Sequence, residues 1–350
     1  MPKPQKDAKG TPAKPQQPAL AEHFATRYNH FCLDRRLALS SRGRGQFVVC
    51  VVLLLSLAAA ACALPGPAKR VSLSVPAAES STAWRAPEPQ PLRIAAAAIL
   101  SPQTTSRDYE VLLTYLADSL DRPVQLVQRA SYAETNELIR TRQVDVAFVC
   151  TGAYVQGHQE FGMELLAVPE VRGLTTYQSY IIVPGRSAAQ ELDDLRGAVF
   201  AYTDPMSLSG YLVPLQLLRT TYPGEADSFF SRTLFTYSHE HSLKAVSEGW
   251  VDGAAIDSLV YLAALAKTPA YGQLTRVIWQ SPPYGIPPIV VSPALDPALK
   301  AQLRQIFFSM DDHPEGRRAL SSLGIEQFVP ADDSLYASAR VLLASVGAKP

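Results

Sequence analysis

The sequence is poor in the residues that metal sites and disulfide-bonded folds require. Charged residues make up only 18% of the 350 residues, below the roughly 25% of ordinary soluble domains. The four cysteines, Cys32, Cys50, Cys62 and Cys150, form no CxxC pair and no Cys/His spacing typical of zinc. Because only Cys150 lies beyond residue 91, we expect no disulfide in the folded body, no metal site and no cofactor.

Catalytic motifs and a basic surface are also missing. The chain contains no GxSxG elbow, no P-loop and no HExxH pair. Its net charge is zero, but residues 1–45 carry nine Lys/Arg and three acidic residues, so the remainder sums to −6. A mildly acidic body does not favour nucleic acid as a partner, because phosphate backbones demand clustered Lys and Arg.

One long hydrophobic run is present, at residues 46–64. It follows a basic, partly disordered leader at 1–45 and is typical of an export signal. Ala59–Cys62 resembles a bacterial lipobox, which predicts lipidation of Cys62. An uncleaved signal anchor stays open because the run is long enough to span a bilayer, and so does plain secretion. All three place the body outside the cytoplasmic membrane, after a Pro/Ala/Ser-rich linker at 65–91.

From Leu92 onward, apolar runs alternate with helical patterns. Strands are predicted at 92–98, 124–128 and 144–149, with helices at 109–120 and 132–141 between them. This order implies parallel strands joined by right-handed crossovers. The alternation continues to the end of the chain, so the sequence predicts an α/β protein with two mixed sheets flanked by helices. We expect a bilobed clamshell, with lobe 1 at 92–182 plus 283–350, lobe 2 at 183–282, and a ligand cleft between them.

The segment Tyr202–Tyr211 has the composition of an anion-binding turn. It follows a predicted strand and opens a predicted helix, and Ser207 and Ser209 bring hydroxyl donors. The free N–H groups and the positive dipole end of a helix N-terminus favour an anion. Pro214 removes one helical hydrogen bond, so we expect an irregular first turn. An ordinary serine N-cap is the alternative interpretation.

The same segment is similar to the DPxSxSGYxxP signature of the phosphate/phosphite/phosphonate substrate-binding proteins of ABC importers, the PhnD-like family. The similarity continues through residues 237–257, 281–288, 295–300, 310–316 and 323–334. The resemblance implies a type II periplasmic-binding fold that captures a small phosphorus oxyanion. It also implies delivery to an ABC permease and ATPase complex, with the membrane reached through the lipid or anchor, and we expect a monomer.

The resemblance further implies which side chains bind the ligand. They are Ser207, Leu208, Ser209, His239, Tyr132, Tyr154, Thr151 and Asp257. The two serine hydroxyls and the Leu208 N–H would hold phosphoryl oxygens, although many relatives carry a threonine where this chain has leucine. His239 would contact the anion, and we expect its charged form. Asp257 would face the non-phosphoryl end of the ligand.

Other interpretations remain open. His239 and His241 could suggest a metal site, but no acidic or thiol partner has metal spacing. The tyrosines could be core or rim aromatics. An enzyme on this fold could use Ser209 and His239 as nucleophile and base. A sensory ectodomain that signals through a partner protein, or a binder of another small organic ligand, would share the same organisation.

Overall fold

Two α/β sheets form where the apolar runs of the sequence are buried. The computed structural model of the protein describes residues 90–330 and 332–347. The predicted leader, the signal or anchor segment with Cys62, and the linker up to residue 89 lie outside the described residues. Among the helices of 90–330 and 332–347, none has both the length and the apolar character that crossing a bilayer requires.

The first sheet has six strands, with parallel strands at one side and antiparallel strands at the other. In order across the sheet they are β13 (Gln327–Val329), β4 (Glu164–Glu170), β12 (Ile289–Val291), β3 (Val146–Phe148), β1 (Leu92–Ala96) and β2 (Val124–Gln128). Strand β1 pairs in parallel with β2 and β3, while β12 runs antiparallel to β3 and β4. The predicted strand–helix–strand order of this region is therefore confirmed.

Helices cover the first sheet. They are α1 (Pro102–Leu120), α2 (Tyr132–Arg140), α3 (Thr151–Phe161), α8 (Pro297–Phe308), α9 (Pro314–Leu323) and α10 (Ala337–Val346). Leu112 and Leu116 lie one turn apart on α1 and are fully buried against Ile94 and Phe307. Burying an aliphatic side chain of this size stabilises the fold by about 1.5–3 kcal/mol. Helix α3 and strand β4 were not predicted from the sequence.

The second sheet has five strands and its own helices. In order its strands are β10 (Thr275–Gln280), β6 (Ser179–Pro184), β9 (Gly253–Asp257), β7 (Val199–Tyr202) and β8 (Arg232–Phe235). The helices are α4 (Val213–Thr221), α5 (His239–Ser247), α6 (Ser258–Lys267) and the short α7 (Tyr271–Leu274). Strand β6 begins at Ser179 and pairs with β9 and β10. It therefore lies wholly in the second sheet, although its first residues fall within the predicted lobe 1.

Two short strands connect the sheets. Strand β5 (Thr176–Tyr177) lies just before β6, and β11 (Tyr284–Gly285) lies between β10 and β12. They pair with each other in antiparallel, with Tyr177 opposite Tyr284. The chain passes between the sheets at these two neighbouring positions, which is the arrangement that permits hinge motion.

The carboxyl ends of the parallel strands from both sheets face a common region. Strand β3 leads into α3, β7 into the turn at Ser207, and β9 into α6. The His239 N–H donates to the Ile99 carbonyl oxygen at 3.0 Å, which joins the start of α5 to the loop after β1. Several helix N-termini therefore converge where ligands bind in open α/β sheets.

Candidate functional site

The turn after β7 is held open by its own hydrogen bonds. The Met206 N–H donates to Asp204 Oδ1 at 2.8 Å, and the Gly210 N–H donates to Ser207 Oγ at 3.0 Å. A Cβ on Gly210 would overlap the Thr203 side chain, so only glycine fits there. Ser207 accepts with its oxygen and keeps its own hydrogen available as a donor.

The first turn of the helix is irregular, as Pro214 predicts. Residues Leu208–Leu212 form a π-helix before α4, and the Val213 N–H reaches back to the Leu208 carbonyl. Proline has no N–H, and the Gly210 carbonyl accepts instead from the Thr203 N–H at 3.1 Å. The Ser209 carbonyl accepts from Ser179 Oγ at 2.6 Å. Single π-turns of this kind are frequent at functional sites.

The side chain of Ser209 is buried without a partner. It is 1% exposed, and its Oγ has no hydrogen-bond partner among residues 90–330 and 332–347. A buried hydroxyl that stays unpaired costs about 1–3 kcal/mol. The absence of a bond to His239 also means that the nucleophile–base pair considered above is not formed in this structure. The Ser209 hydroxyl, with the Tyr177 hydroxyl nearby, therefore has hydrogen-bonding capacity that a ligand atom could use.

The backbone N–H of Leu208 lies near the Cys150 thiol, which belongs to the first sheet. The amides of Leu208 and Gly152 both lower the pKa of the Cys150 thiol, but burial outweighs them and raises it to about 11. Cys150 occupies the N-cap position of α3 and makes no side-chain capping bond. A neutral thiol is a weak acceptor, so the Leu208 N–H remains available for a stronger one.

His239 is buried at the start of α5 and is neutral. Its Nδ1 accepts from the Asp257 N–H at 3.1 Å and lies 3.1 Å from Thr203 Oγ1. A ring nitrogen that accepts a backbone N–H carries no proton, so the neutral ring has its proton on Nε2. Burial lowers the pKa of His239 to about 3. The charged form was expected for contact with an anion; in this structure desolvation outweighs any benefit of charge and favours the neutral form.

Asp257 ends β9 and caps α6. Its Oδ1 accepts from the Leu259 N–H at 2.7 Å and the Val260 N–H at 3.3 Å. Burial raises the pKa of Asp257 to about 7, although the two backbone hydrogen bonds lower it. Both bonds end on Oδ1, so a proton on this carboxyl group lies on Oδ2. Near neutral pH the group can therefore act as a hydrogen-bond donor.

Tyr132, from the part of the chain around the first sheet, contributes both a side-chain hydroxyl and a backbone N–H. Its hydroxyl is fully buried and has no partner within the described chain. Its backbone N–H donates to Asp204 Oδ2 at 3.1 Å, across from the second sheet. Burial raises the pKa of Asp204, and this contact lowers it. The side chain of Tyr132 is thus left as a donor for a third group.

The side-chain hydroxyls of Thr151 and Tyr154 are already hydrogen-bonded to other residues of the protein. Thr151 Oγ1 donates to the Gly285 carbonyl on β11 at 2.8 Å. Tyr154 Oη donates to Asp333 Oδ1 at 2.9 Å, and its ring packs on Tyr336. The structure therefore places the Tyr154 hydroxyl beside Asp333 and not beside the turn at Ser207. Thr151 remains close to the turn, but its hydrogen is already used.

Two further buried hydroxyls were missed from the sequence. Tyr177 on β5 is 3% exposed and Ser238 before α5 is 1% exposed, and neither hydroxyl has a partner in the described part of the chain. Ser238 stands at the N-cap position without making a capping bond. Ser238 was missed because a serine directly before a helix is usually interpreted as a cap. Tyr177 was missed because it lies in a two-residue strand, which has no recognisable sequence pattern.

The site is assembled from neutral donors. The groups described above include no lysine or arginine, and two of their carboxyl groups, Asp204 and Asp257, have raised pKa values because they are buried. Across the described residues, no group of three or more His, Cys, Asp or Glu side chains is arranged to hold a metal ion. Hydroxyls, backbone amides and a neutral imidazole can bind an oxyanion by hydrogen bonds alone.

Comparison with known proteins supports this interpretation. Residues 94–336 match the family model described as the periplasmic substrate-binding protein of ABC phosphonate transporters. The chain belongs to this family. The PhnD-like resemblance and the type II periplasmic-binding fold expected from the sequence are thereby confirmed.

Two curated members of the family are similar over most of the matched region. The phosphate-import protein PhnD of Mycolicibacterium smegmatis is 28% identical over 233 residues, which cover 63% of this chain and 71% of the relative. The phosphonates-binding periplasmic protein of Escherichia coli is 27% identical over 207 residues, covering 58% of this chain and 61% of the relative. The two relatives are named for different ligands.

Solved structures share the fold. A binding protein component of an ABC phosphonate transporter from Pseudomonas aeruginosa is 25% identical with a TM-score of 0.70, covering 74% of this chain and 87% of that one. PhnD1 of Prochlorococcus marinus in complex with methylphosphonate is 17% identical with a TM-score of 0.67, covering 73% and 98%. At 17% identity, the similarity to PhnD1 shows only that the two proteins share a fold.

Proposed function

We propose that this protein is the extracytoplasmic solute-binding component of an ABC importer and captures a small phosphorus oxyanion. Phosphonate, phosphite and phosphate esters all fit this class. The observation that supports the proposal most directly is the unpaired Ser209 hydroxyl at the start of a helix, buried between two sheets. Such a hydroxyl is stabilised when an anion accepts its hydrogen.

In this proposal each donor has a defined role. The hydroxyls of Ser207 and Ser209 and the N–H of Leu208 hold the phosphoryl oxygens at the helix start. The Nε2–H of His239 and the hydroxyl of Tyr132 approach from other sides. When the sheets close on the ligand, water is excluded and each of these hydrogen bonds becomes stronger. Thr151 and Tyr154, which were also expected to contact the ligand, support the neighbouring backbone and the C-terminal region instead.

The carboxyl group of Asp257 limits the charge that the site accepts. Its proton provides one more donor below about pH 7. Above that pH the same group is negative and repels an anion. We therefore propose that the ligand is bound together with a proton on Asp257, and that an anion of low charge is preferred where the surroundings offer no fixed cation.

We also propose the arrangement at the membrane. The body consists of two lobes, one around each sheet, and is held at the outer face of the cytoplasmic membrane by a lipid on Cys62 or by an uncleaved anchor. A monomer docks in its closed form on the permease, and the ATPase drives release of the ligand. The family membership supports this role for the body, while lipidation of Cys62 rests on the sequence pattern.

A titration of the purified protein tests the proposal. Calorimetry with inorganic phosphate, phosphite, methylphosphonate and 2-aminoethylphosphonate should show tight binding of at least one, with sulfate as the comparison anion. Binding should also raise the melting temperature by mass action. Ser209→Ala should weaken binding about 10- to 100-fold, because a hydrogen bond to a charged group contributes about 1.5–3 kcal/mol.

The exposed Ser231 offers a matched control, since Ser231→Ala removes a hydroxyl of the same sheet far from the turn. It should bind like the unmodified protein. The proposal fails if no phosphorus oxyanion binds, and the assignment of the turn fails if Ser209→Ala and Ser231→Ala have the same affinity.

A further inference from the structure

A small cavity lies beside the second sheet and is separate from the groups described so far. Its volume is about 150 Å³, and an apolar cavity of about this size can hold a molecule as large as benzene. The residues that line it come from the end of β7, the π-helical segment, α4, the turn before β8 and β8 itself: Tyr202, Tyr211, Leu215, Ala226, Asp227, Phe230, Thr233 and Phe235. The second sheet and the segments packed on it therefore form this cavity alone.

Four of the eight lining residues are aromatic, and their rings meet at steep angles. The planes of Tyr211 and Phe230 are nearly perpendicular to that of Tyr202, at 81° and 73°, with ring centroids 5.0 and 6.3 Å away. Phe235 lies 5.2 Å from Tyr211 at 68°. The corner between two perpendicular rings is bordered by ring faces, which carry negative partial charge. The cavity is therefore lined by electron-rich surfaces.

The charge at this cavity is also negative. Asp227 is exposed at its rim. Burial raises the pKa of the Tyr202 hydroxyl, and the nearby Tyr211 and Asp227 raise it further, so this phenol stays neutral and its ring remains an uncharged aromatic surface. None of the lining residues is a lysine or an arginine. The carboxylate of Asp227 therefore faces no basic side chain within the lining.

The alternation of side chains along β8 produces this distribution of charge. Thr233 and Phe235 are two residues apart and lie on the face of the strand that lines the cavity. Leu234 packs on the opposite face with Ala201 and Ile256, whereas Phe235 packs with Tyr202. Arg232 shares the face of Leu234 by the same period of two. The arginine of this strand is thereby directed away from the aromatic rings.

We propose that this cavity is a second binding site, which takes an organic cation with a methylated ammonium group. Ring faces attract a cation placed over them, and Asp227 supplies the opposite charge at the rim. A trimethylammonium group has a bulk comparable to that of benzene, so it fits the cavity. A neutral apolar molecule would fill the same space without using the carboxylate. The site is separate from the oxyanion turn, and the inference does not rest on the proposed function.

Choline and 3,3-dimethyl-1-butanol test the proposal, because they have the same shape and differ in the positive charge. The methyl protons of each probe give one NMR signal, so saturation transfer from the purified protein reports binding of both at fixed ionic strength. Choline should bind about fivefold or more tightly than the alcohol, as expected for a cation over aromatic faces. Equal binding of the two probes, or no binding of choline, would overturn the proposal.

Two variants locate the site. Asp227→Asn removes the charge of an exposed residue without altering the core, and Phe235→Leu removes a ring from the wall. Each should weaken choline binding about three- to tenfold. Glu248→Gln is the matched control, since it removes a negative charge from an exposed residue that does not line the cavity. If Asp227→Asn and Glu248→Gln bind choline equally, the assignment to this cavity is wrong, even where Phe235→Leu fails to fold.

Discussion

The two sheets contribute different hydrogen-bonding side chains to the region between them. The second sheet offers donors that are buried and unspent: the hydroxyls of Ser207 and Ser209 and the Nε2–H of His239. On the first sheet, Thr151 donates to Gly285 and Tyr154 to Asp333. The free hydroxyls of Tyr132 and, between the sheets, Tyr177 are the exceptions. We therefore expect anion capture to depend mainly on the second sheet and closure mainly on the first.

The contacts across the two sheets agree with this division. Asp204 accepts from the Tyr132 N–H, and Glu240 accepts from the Ser101 N–H at 2.7 Å and from Thr104 Oγ1 at 3.1 Å. Asp204 and Glu240 thereby each lie at the N-terminus of a helix that covers the first sheet, where negative charge is favoured. These bonds join the two sheets directly, so we expect them to stabilise the arrangement in which the sheets lie together.

Gly152→Ala should separate the two roles most strongly. Gly152 follows Cys150 at the start of α3, and a Cβ there would overlap the Met206 carbonyl and press on the Leu208 N–H. Overpacking of this kind costs about 1–3 kcal/mol, so affinity for methylphosphonate should fall roughly 10- to 100-fold by calorimetry. The variant substitutes no residue of the serine turn but presses on its backbone at Met206 and Leu208, and small-angle scattering with ligand should show a less compact protein.

Gly272→Ala serves as the comparison, because a Cβ there meets only ordinary van der Waals contact with Leu265. Equal affinity of the two alanine variants would show that close approach of the sheets at Gly152 is not needed for binding.

The second prediction concerns pH and the proton of Asp257. Its pKa is raised to about 7 by burial, so anion affinity should decline as pH rises through 7, by up to about tenfold per pH unit when one proton is linked. Asp257→Asn should flatten this dependence. Comparing the two proteins at each pH removes the titration of the ligand itself, and parallel curves would contradict a role for this proton.

Unfolding experiments without ligand test the directions of these pKa shifts independently. A carboxyl pKa raised from 3.8 to about 7 makes stability fall as pH rises across that interval. The pKa of His239, lowered from 6.5 to about 3, makes stability fall as pH drops across its interval. The two slopes oppose each other between about pH 4 and 6.5. Urea unfolding of His239→Gln should therefore reveal the Asp257 slope that the unmodified protein hides.

Glu240→Gln should have a smaller effect on affinity. Helix α1 begins with proline and has no acidic residue in its first turn, so Glu240 supplies the negative charge there from the other sheet. Loss of a helix-terminal charge and cap costs about 0.5–1 kcal/mol, which corresponds to roughly a two- to fivefold weaker affinity for the same ligand. Glu248→Gln, at the exposed residue that follows α5, should leave affinity unchanged.

The smallest effect is expected at the salt bridge between the sheets. Lys267 Nζ lies 2.7 Å from Asp108 Oδ2, with the lysine side chain 56% exposed. Burial alone would raise the pKa of Asp108, but the hydrogen bonds from Lys267 and Arg107 lower it overall. Exposed pairs contribute about 0.2–1 kcal/mol, so Lys267→Met should weaken binding by about 1.4-fold to fivefold. A larger loss that persists at high salt would point to a different role for this lysine.

The extent of sequence-based prediction differs between elements and side chains. Strand β2 was predicted with its observed bounds, because it is a short apolar run flanked by clear breaks. The irregular turn before α4 followed from Pro214. Helix α3 and strand β4 were missed. Helix α3 lacks the polar face that marks an amphipathic helix, since seven of its residues are buried.

The sequence by itself determined the α/β class and the family, because these depend on periodicity and on motifs of residues adjacent in the chain. Only the tertiary structure decided which hydroxyls remain unpaired, that His239 is neutral and that Tyr154 is committed to Asp333. Burial and pairing depend on what two distant segments place around an atom. A hydrogen bond between residues far apart in the chain, such as Tyr132 to Asp204, leaves no local pattern to read.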